Sequence, residues 1–415
     1  MGRRRKREKK PRIKRAETKL KKKVVFLVID GLADLPLSGK TPLSEAKKPN
    51  LDYLASLGLT GEIIPVKKKF WNELTRSSVS HLAVASLLGY DPEKYYFKRG
   101  PLEAIGTNLP YTPGHLALRC NFATVDKDMV VIDRRVGRNS FGLDELARSI
   151  NEHVILPAKF IFMRTYEHRG VLIIKEKLSD KISDSDPFYA GEKVKKVEAL
   201  EPEAEKAAKI VQEFLESAKQ VIDFHPANEE RMKLGLPPAN CILTREAGNK
   251  LPKLENFLKK YKLGSALCIA ENGCIKGICL IAGMNALTVP ELKFDPTLKF
   301  IFSSIREALA AYDFIFAHIK GPDEPAHDGD FHKKRMFIEA IDKYLEMFRN
   351  FDGILVVTCD HITSCKTRKH EYGPVPLLVY GKGRDNVTKF DEFSVKKGGL
   401  GLITGKKLMK FIFKQ

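Results

Sequence analysis

The chain reads as an α/β protein, with a mostly parallel sheet sandwiched by helices and an inserted α+β domain. Three observations predict this. Short β-branched runs such as Val24-Val25-Phe26-Leu27-Val28-Ile29 and Gly353-Ile354-Leu355-Val356-Val357-Thr358-Cys359 are bounded by turn residues, the pattern of buried parallel strands. From about residue 249 such runs alternate with helical periodicity, which is how a sheet covered on both faces is written. Between residues 106 and 248 the pattern becomes β-like alternation followed by one long helical stretch. The expected organisation is a basic tail at 1–23, a discontinuous main domain at 24–105 and 249–415, and an insert at 106–248.

In chain order, strand 24–29 precedes a loop through Pro36 and Gly39. Leu51, Leu54 and Ala55 give 50–57 helical spacing, with Gly58 as its stop. Residues 79–88 form a second apolar helix, and the hydroxyls of Thr75, Ser77 and Ser78 just before it suit an N-cap. Residues 118–136 alternate as β-structure, 171–174 continue it, and 196–220 are helical and rich in Ala, Glu and Lys. Leu236-Pro237-Pro238-Ala239 is a turn-rich break leading to strand 242–244. Helix 253–261, strand 266–270, helix 300–311, strand 313–319, helix 332–349 and strand 353–358 complete the alternation.

Composition excludes several classes. No apolar run approaches the ~20 residues that span a bilayer, and no signal-peptide core is present, so a soluble cytoplasmic protein is expected. Seven cysteines, an odd number with no CxxC pair, fit reduced thiols better than a cysteine metal site. Of the net charge of +20, the first 23 residues hold +12, from fourteen Lys or Arg against Glu8 and Glu17. Such a segment can contact nucleic acid through phosphate neutralisation, but no aromatic residue interrupts it to stack on bases. A solvated arm is the simpler reading. The remaining positive charge suits a small anionic substrate. A homo-oligomer is compatible with the sequence and not specified by it.

The chemistry is written at strand ends. Asp30 ends the first run, Asp360 and His361 end the run at 353–359, and Asp323 and His327 follow Phe314-Ile315-Phe316-Ala317. His370 comes soon after, in Lys369-His370-Glu371-Tyr372-Gly373-Pro374. Ligands bind beyond the carboxyl ends of strands in open α/β sheets, so these groups are delivered to one edge. Each alone has an ordinary explanation as a cap or turn residue. Together, three of ten histidines beside aspartates at strand ends point to a two-metal hydrolytic or phosphoryl-transfer centre. Imidazole and carboxylate donors suit Mn²⁺, Co²⁺ or Zn²⁺, with Mg²⁺ also open.

Several motifs in one order resemble a known family. They include Val28-Ile29-Asp30-Gly31-Leu32, Leu88-Gly89-Tyr90-Asp91-Pro92, Arg99-Gly100-Pro101-Leu102-Glu103-Ala104-Ile105-Gly106, Asp133-Arg134-Arg135-Val136-Gly137-Arg138 and Pro322-Asp323-Glu324-Pro325-Ala326-His327-Asp328-Gly329-Asp330. The chain resembles the archaeal type of 2,3-bisphosphoglycerate-independent phosphoglycerate mutase, within the alkaline phosphatase superfamily. The resemblance implies an alkaline-phosphatase-like sheet and interconversion of 3-phosphoglycerate and 2-phosphoglycerate through a phosphoserine. It implies two divalent ions, Mn²⁺ foremost, and no 2,3-bisphosphoglycerate. Asp30, Ser77, Asp360 and His361 would hold one ion, and Asp323, His327 and His370 the other. Ser77 would be the nucleophile, four residues before His81, with Ser78 and Thr75 as alternatives. The stretch from His81 to Gly89 is about three residues longer than the family pattern, and the serine lacks its usual acidic neighbour. Arg134, Arg135 and Arg138 would grip the substrate, since guanidinium forks bind carboxylate and phosphate bidentately. Arg119, Arg169, Arg245 and Lys276 are further candidates. A phosphatase or a homoserine-kinase-like relative would keep the metals and change the acceptor. A nucleic-acid binder acting through the tail is the rival from another class.

Overall fold

The computed structural model describes residues 22–74, 79–271 and 273–414. Most of the basic tail, and Thr75, Ser77 and Ser78, lie outside the described residues. The main sheet has eight strands: β1 (Lys23–Ile29), β2 (Gly58–Ile64), β8 (Ala266–Ala270), β9 (Asn285–Thr288), β10 (Phe314–Ile319), β11 (Gly353–Thr358), β14 (Val375–Tyr380) and β15 (Gly401–Thr404). Their order is β15-β2-β14-β11-β1-β10-β8-β9. All pairings are parallel except those of β14, which runs against both β11 and β2. The expectation of a mostly parallel sheet holds. β1 lies at its centre, paired with β10 and β11, and every side chain from Val24 to Ile29 is buried. A strand buried on both faces has no polar alternation, which is why it reads as a continuous apolar run.

Two further strands, β12 (Ile362–Ser364) and β13 (Lys369–Glu371), form a hairpin beyond the carboxyl end of β11. The insert is a five-stranded antiparallel sheet of β3 (His115–Val125), β4 (Val131–Asp133), β5 (Phe160–Tyr166), β6 (Arg169–Lys177) and β7 (Cys241–Gly248). Along β3 the pleat sends Leu118, Cys120 and Phe122 to a core shared with the helices Leu143–His153 and Glu205–Ile222. Arg119 and Asn121 therefore point to the other face. Register carries the same face onto the neighbours: Arg119 lies opposite Arg245 on β7, and Asn121 opposite Arg169 on β6. Like charges directly across a sheet are unfavourable on their own, so this face needs negative charge beside it, part of which Glu103 and Asp186 supply.

The helix Arg99–Gly106 joins the two units. It packs on β3 and crosses the helix Cys274–Ile281. The crossing is close enough that a Cβ on Gly277 would stand 2.1 Å from the Leu102 carbonyl oxygen. Backbone contact of this kind requires glycine.

Boundaries shift where capping or packing outweighs periodicity. The helix expected at 196–220 runs Glu205–Ile222, that expected at 253–261 is only Phe257–Tyr261, and that expected at 300–311 begins at Phe294. Asn256 caps the second of these by accepting the Lys259 amide hydrogen bond, which ends the preceding segment as loop. Strands β2, β9, β14 and β15 and the helix Cys274–Ile281 were not anticipated.

Candidate metal centre and anion cradle

Two groups of ligands stand beyond the carboxyl ends of β1, β10 and β11. Asp30, Asp360 and His361 are buried and converge, as do Asp323, His327 and His370, which are partly buried. In the first group His361 Nε2 lies 3.2 Å from Asp30 Oδ1, 3.3 Å from Asp360 Oδ2 and 3.1 Å from Ser80 Oγ. In the second, His327 Nε2 lies 3.1 Å from His370 Nε2 and 3.5 Å from Asp323 Oδ2, and His370 Nε2 lies 3.4 Å from Asp323 Oδ1. Donors about 2.1 Å from a tetrahedral ion are about 3.4 Å apart, so both groups have the spacing of ligand sets.

Each ligand has one atom anchored and another aimed inward. Asp360 Oδ1 accepts from the Gly31 amide at 3.2 Å, and Asp30 Oδ2 from Lys320 Nζ at 3.2 Å. His327 Nδ1 faces the Arg368 carbonyl at 2.9 Å; a carbonyl only accepts, so Nδ1 carries a proton and Nε2 is the nitrogen turned to the cluster. Asp30 Oδ1 is buried with the His361 ring nitrogen 3.2 Å away, an oxygen placed to share a cation with that ring. The electrostatics agree. Burial opposes charge on His361, but Asp360 and Asp30 outweigh it and raise its pKa to about 9. Burial likewise opposes charge on Asp30, and Lys320 holds the carboxyl well below the usual range. The cluster demands positive charge, and the donor set fits a divalent ion of the Mn²⁺, Co²⁺ or Zn²⁺ type. Gly31, at φ +62°, lets β1 end here: a Cβ would meet Thr363 Oγ1 at 2.7 Å and Asp323 Cα at 2.9 Å.

Opposite these groups, across a cavity of about 650 Å³, stands the arginine face of the insert. Arg119 donates to Glu103 at 2.8 Å, and Arg134 makes a fork to Asp186 at 2.9 and 2.5 Å. Phe188 lies under Arg134 and Arg245, 5.6 and 5.9 Å from its ring centre. The Nε atoms of Arg99, Arg119, Arg169 and Arg245 are buried without hydrogen-bond partners, as is His168 Nδ1. Burial and the adjoining Arg138 lower Arg135 to about 10, and burial with Arg169 keeps His168 neutral, well below its usual pKa. These guanidiniums are partly balanced by Glu103, Asp186, Glu246 and Glu271 yet keep buried donors without hydrogen-bond partners, a chemistry suited to an anion.

The cavity wall brings together Asp30, Asp323, His327 and His370 with Arg119, Arg134, Arg135, Arg138, Arg169 and Arg245, while Asp360 and His361 stand behind the wall and converge on Asp30. Arg138 also crosses to the helix Asp323–Asp328, 3.5 Å from Glu324 and 3.4 Å from Asp328. Lys276 does not line the cavity; it is buried in the helix Cys274–Ile281 and donates to Thr288 Oγ1 at 2.6 Å. Its spacing resembled a surface charge, and the lost signal was the apolar run around it. Ser80, Arg99, Glu103, His168, His318 and Lys320 line the cavity and were not singled out. His318 and Lys320 end β10 in the run Phe314–Ile319 and just beyond, so the strand-end argument applied to Asp323 would have reached them.

Comparison with known proteins follows the same lines. The family model described as 2,3-bisphosphoglycerate-independent phosphoglycerate mutase matches residues 55–228. A protein of that name from Methanothermobacter thermautotrophicus is 40% identical over 404 residues, covering 94% of this chain and 97% of its own. One from Archaeoglobus fulgidus is 40% identical over 403 residues, covering 93% and 96%. Among solved structures, a Pyrococcus horikoshii protein matches with a TM-score of 0.74 at 28% identity, over 95% of this chain and 97% of that one. The cofactor-independent phosphoglycerate mutase of Thermoplasma acidophilum matches with a TM-score of 0.59 at 32% identity, over 94% and 98%. By fold, by full-length similarity and by the motifs that build its site, the chain belongs to the 2,3-bisphosphoglycerate-independent phosphoglycerate mutases.

Proposed function

We propose that this chain interconverts 3-phosphoglycerate and 2-phosphoglycerate through a phosphoserine, without 2,3-bisphosphoglycerate, and that Ser80 is the nucleophile. One observation carries the reading: two three-residue ligand clusters, with a serine hydroxyl at one of them, face an arginine cradle across a single cavity. A metal site alone would suit any hydrolase. The cradle supplies what a mutase needs besides, a place to retain glycerate between two transfers.

Ser80 heads the helix Ser80–Leu87, with its Oγ 3.1 Å from His361 Nε2. Ser77, the position indicated by counting back four residues from His81, lies outside the described residues. Counting instead from the Gly89 end removes the three-residue excess and moves the serine from 77 to 80. The cofactor ions, Mn²⁺ foremost, would be held by Asp30, Ser80, Asp360 and His361 and by Asp323, His327 and His370. When bound they supply charge that favours the serine alkoxide and neutralises the phosphoryl oxygens.

Ser80 Oγ attacks phosphorus, the bond from phosphorus to O3 breaks, and the proton given up by Ser80 ends on O3. Arg119, Arg169 and Arg245 keep the glycerate carboxylate from leaving. Glycerate turns, its O2 attacks phosphoserine, and the O2 proton returns to Ser80. Such a transfer depends on positioning and charge neutralisation. Among the described residues no helix is long and apolar enough to cross a membrane, and a small phosphorylated substrate suits a cytoplasmic enzyme.

The test is Mn²⁺-loaded protein with 3-phosphoglycerate, following 2-phosphoglycerate and free phosphate together. The expected result is 2-phosphoglycerate without added bisphosphoglycerate, abolished in Ser80→Ala and retained in Ser77→Ala. Free phosphate alone would make it a phosphatase, and loss only in Ser77→Ala would return the nucleophile to that position.

A further inference from the structure

The two ligand clusters share one hydroxyl. Thr363 Oγ1 lies 2.7 Å from Asp323 Oδ1 and 3.0 Å from His361 Nδ1. Asp323 belongs to one cluster and His361 to the other. A carboxylate only accepts, so the threonine proton goes to Asp323, and Oγ1 must accept from His361 Nδ1–H. In the neutral imidazole this puts the proton on Nδ1, so that Nε2, which faces Asp30, Asp360 and Ser80, is the nitrogen that can take a cation.

The hydroxyl itself is firmly placed. Thr363 is fully buried, its amide donates to the Ala33 carbonyl at 3.1 Å, and its carbonyl accepts from Lys334 Nζ at 2.7 Å. It also pairs with His370 across the hairpin of β12 and β13.

We propose that Thr363 is a positioning residue that couples the two clusters, so that loading either one with a cation favours loading the other. A cation on the Nε2 side of His361 makes Nδ1–H a stronger donor. The hydroxyl that accepts it becomes in turn a stronger donor to Asp323, since hydrogen bonds in a chain polarise one another. The inference rests on the two-metal reading above, and extends it to a residue that touches no ion or substrate.

The experiment is calorimetric titration of the full, metal-stripped protein with Mn²⁺ alone, for the wild type and for Thr363→Val, Thr363→Ala and Thr363→Ser. Loss of the hydroxyl in Val and Ala is expected to weaken both sites by roughly 10- to 100-fold, the usual effect of losing a hydrogen bond behind a ligand. Serine, which keeps the hydroxyl, should restore both to within about threefold. In the metal-free wild type, at a pH high enough for the His361 imidazole to be neutral, nitrogen-resolved NMR should show its one proton on Nδ1, and this preference should be lost in the alanine variant. Loss at only one site, unchanged affinity in Val and Ala, or failure of serine to rescue would each overturn the coupling. A wild type that takes up no Mn²⁺ would overturn the two-metal reading itself and the coupling with it. If valine does not fold, alanine decides.

Discussion

Replacing Lys334 by Met should destabilise the part of the molecule that carries the two ligand clusters. The Lys334 ammonium is fully buried and has three partners: Asp34 Oδ2 at 2.9 Å, the Ala33 carbonyl at 3.0 Å and the Thr363 carbonyl at 2.7 Å. Methionine fills the same volume and supplies none of these bonds. Asp34 would keep the amides of Leu35 at 2.8 Å and Cys365 at 3.1 Å but lose its counter-charge. Breaking a buried pair by removing one partner costs about 3–5 kcal/mol. The Ala33 carbonyl keeps the Thr363 amide at 3.1 Å, and the Thr363 carbonyl loses its lysine donor at the same place, so these changes fall within that range and do not add to it. Urea unfolding followed by fluorescence of Trp71, the single tryptophan and a buried one, measures this directly. With a slope of roughly 3 kcal/mol/M, the midpoint should fall by about 1 M or more. Adding Asp34→Asn removes the stranded charge, so the double variant should be more stable than the sum of the single losses predicts, by at least about 1 kcal/mol. A loss below about 1 kcal/mol for Lys334→Met, or strict additivity, would refute the clamp.

Two other expectations follow from the site and the insert. Arg245→Gln removes a buried guanidinium from the cradle without touching a metal ligand; kcat/KM should fall roughly 10- to 100-fold, mainly through KM, with Mn²⁺ affinity unchanged. Burial raises Asp184 to about 6, partly offset by the Glu246 amide it accepts from. A carboxyl raised in the fold favours the native state at low pH, and that contribution is lost as pH rises through 6. Asp184→Asn should therefore raise the melting temperature by about 1–3 °C at pH 8 and by nothing at pH 4, as scanning calorimetry would show.

The two clusters of carboxylates and imidazoles were legible in the sequence because a buried parallel strand is a largely apolar run, and polar residues soon after it mark the sheet edge. Asp30, Asp323, Asp360 and His361 all sit at such ends. Strand β14 was not legible, since Pro376 argues against a central strand. In the structure β11 pairs only with Leu378 to Tyr380, so Pro376 sits beyond that ladder and loses no bond to it. Its carbonyl instead accepts from Thr358 Oγ1 at 2.8 Å. The arginine face is similar. Arg119 and Arg245 become neighbours through antiparallel register across 126 positions, and no local spacing encodes that pairing. Glu103 and Arg99 were within a quoted motif, yet their role depends on the helix Arg99–Gly106 being trapped between two units. Ser80 was obscured because its position depends on which end of its helix is taken as the origin.

The central place of β1 has a consequence for synthesis. Both of its sheet neighbours, β10 and β11, leave the ribosome roughly 290 or more residues later. At about 5–20 residues per second the segment Val24–Ile29 waits some 15–60 s for a partner. During that interval it is a six-residue, β-branched, uncharged stretch, the kind that recruits other nascent chains into intermolecular sheets. Lys21, Lys22 and Lys23 stand immediately before it and Asp30 immediately after. Charges flanking an unavoidable apolar strand act as gatekeepers against such self-association. The aspartate proposed as a metal ligand thus first guards the strand that carries it.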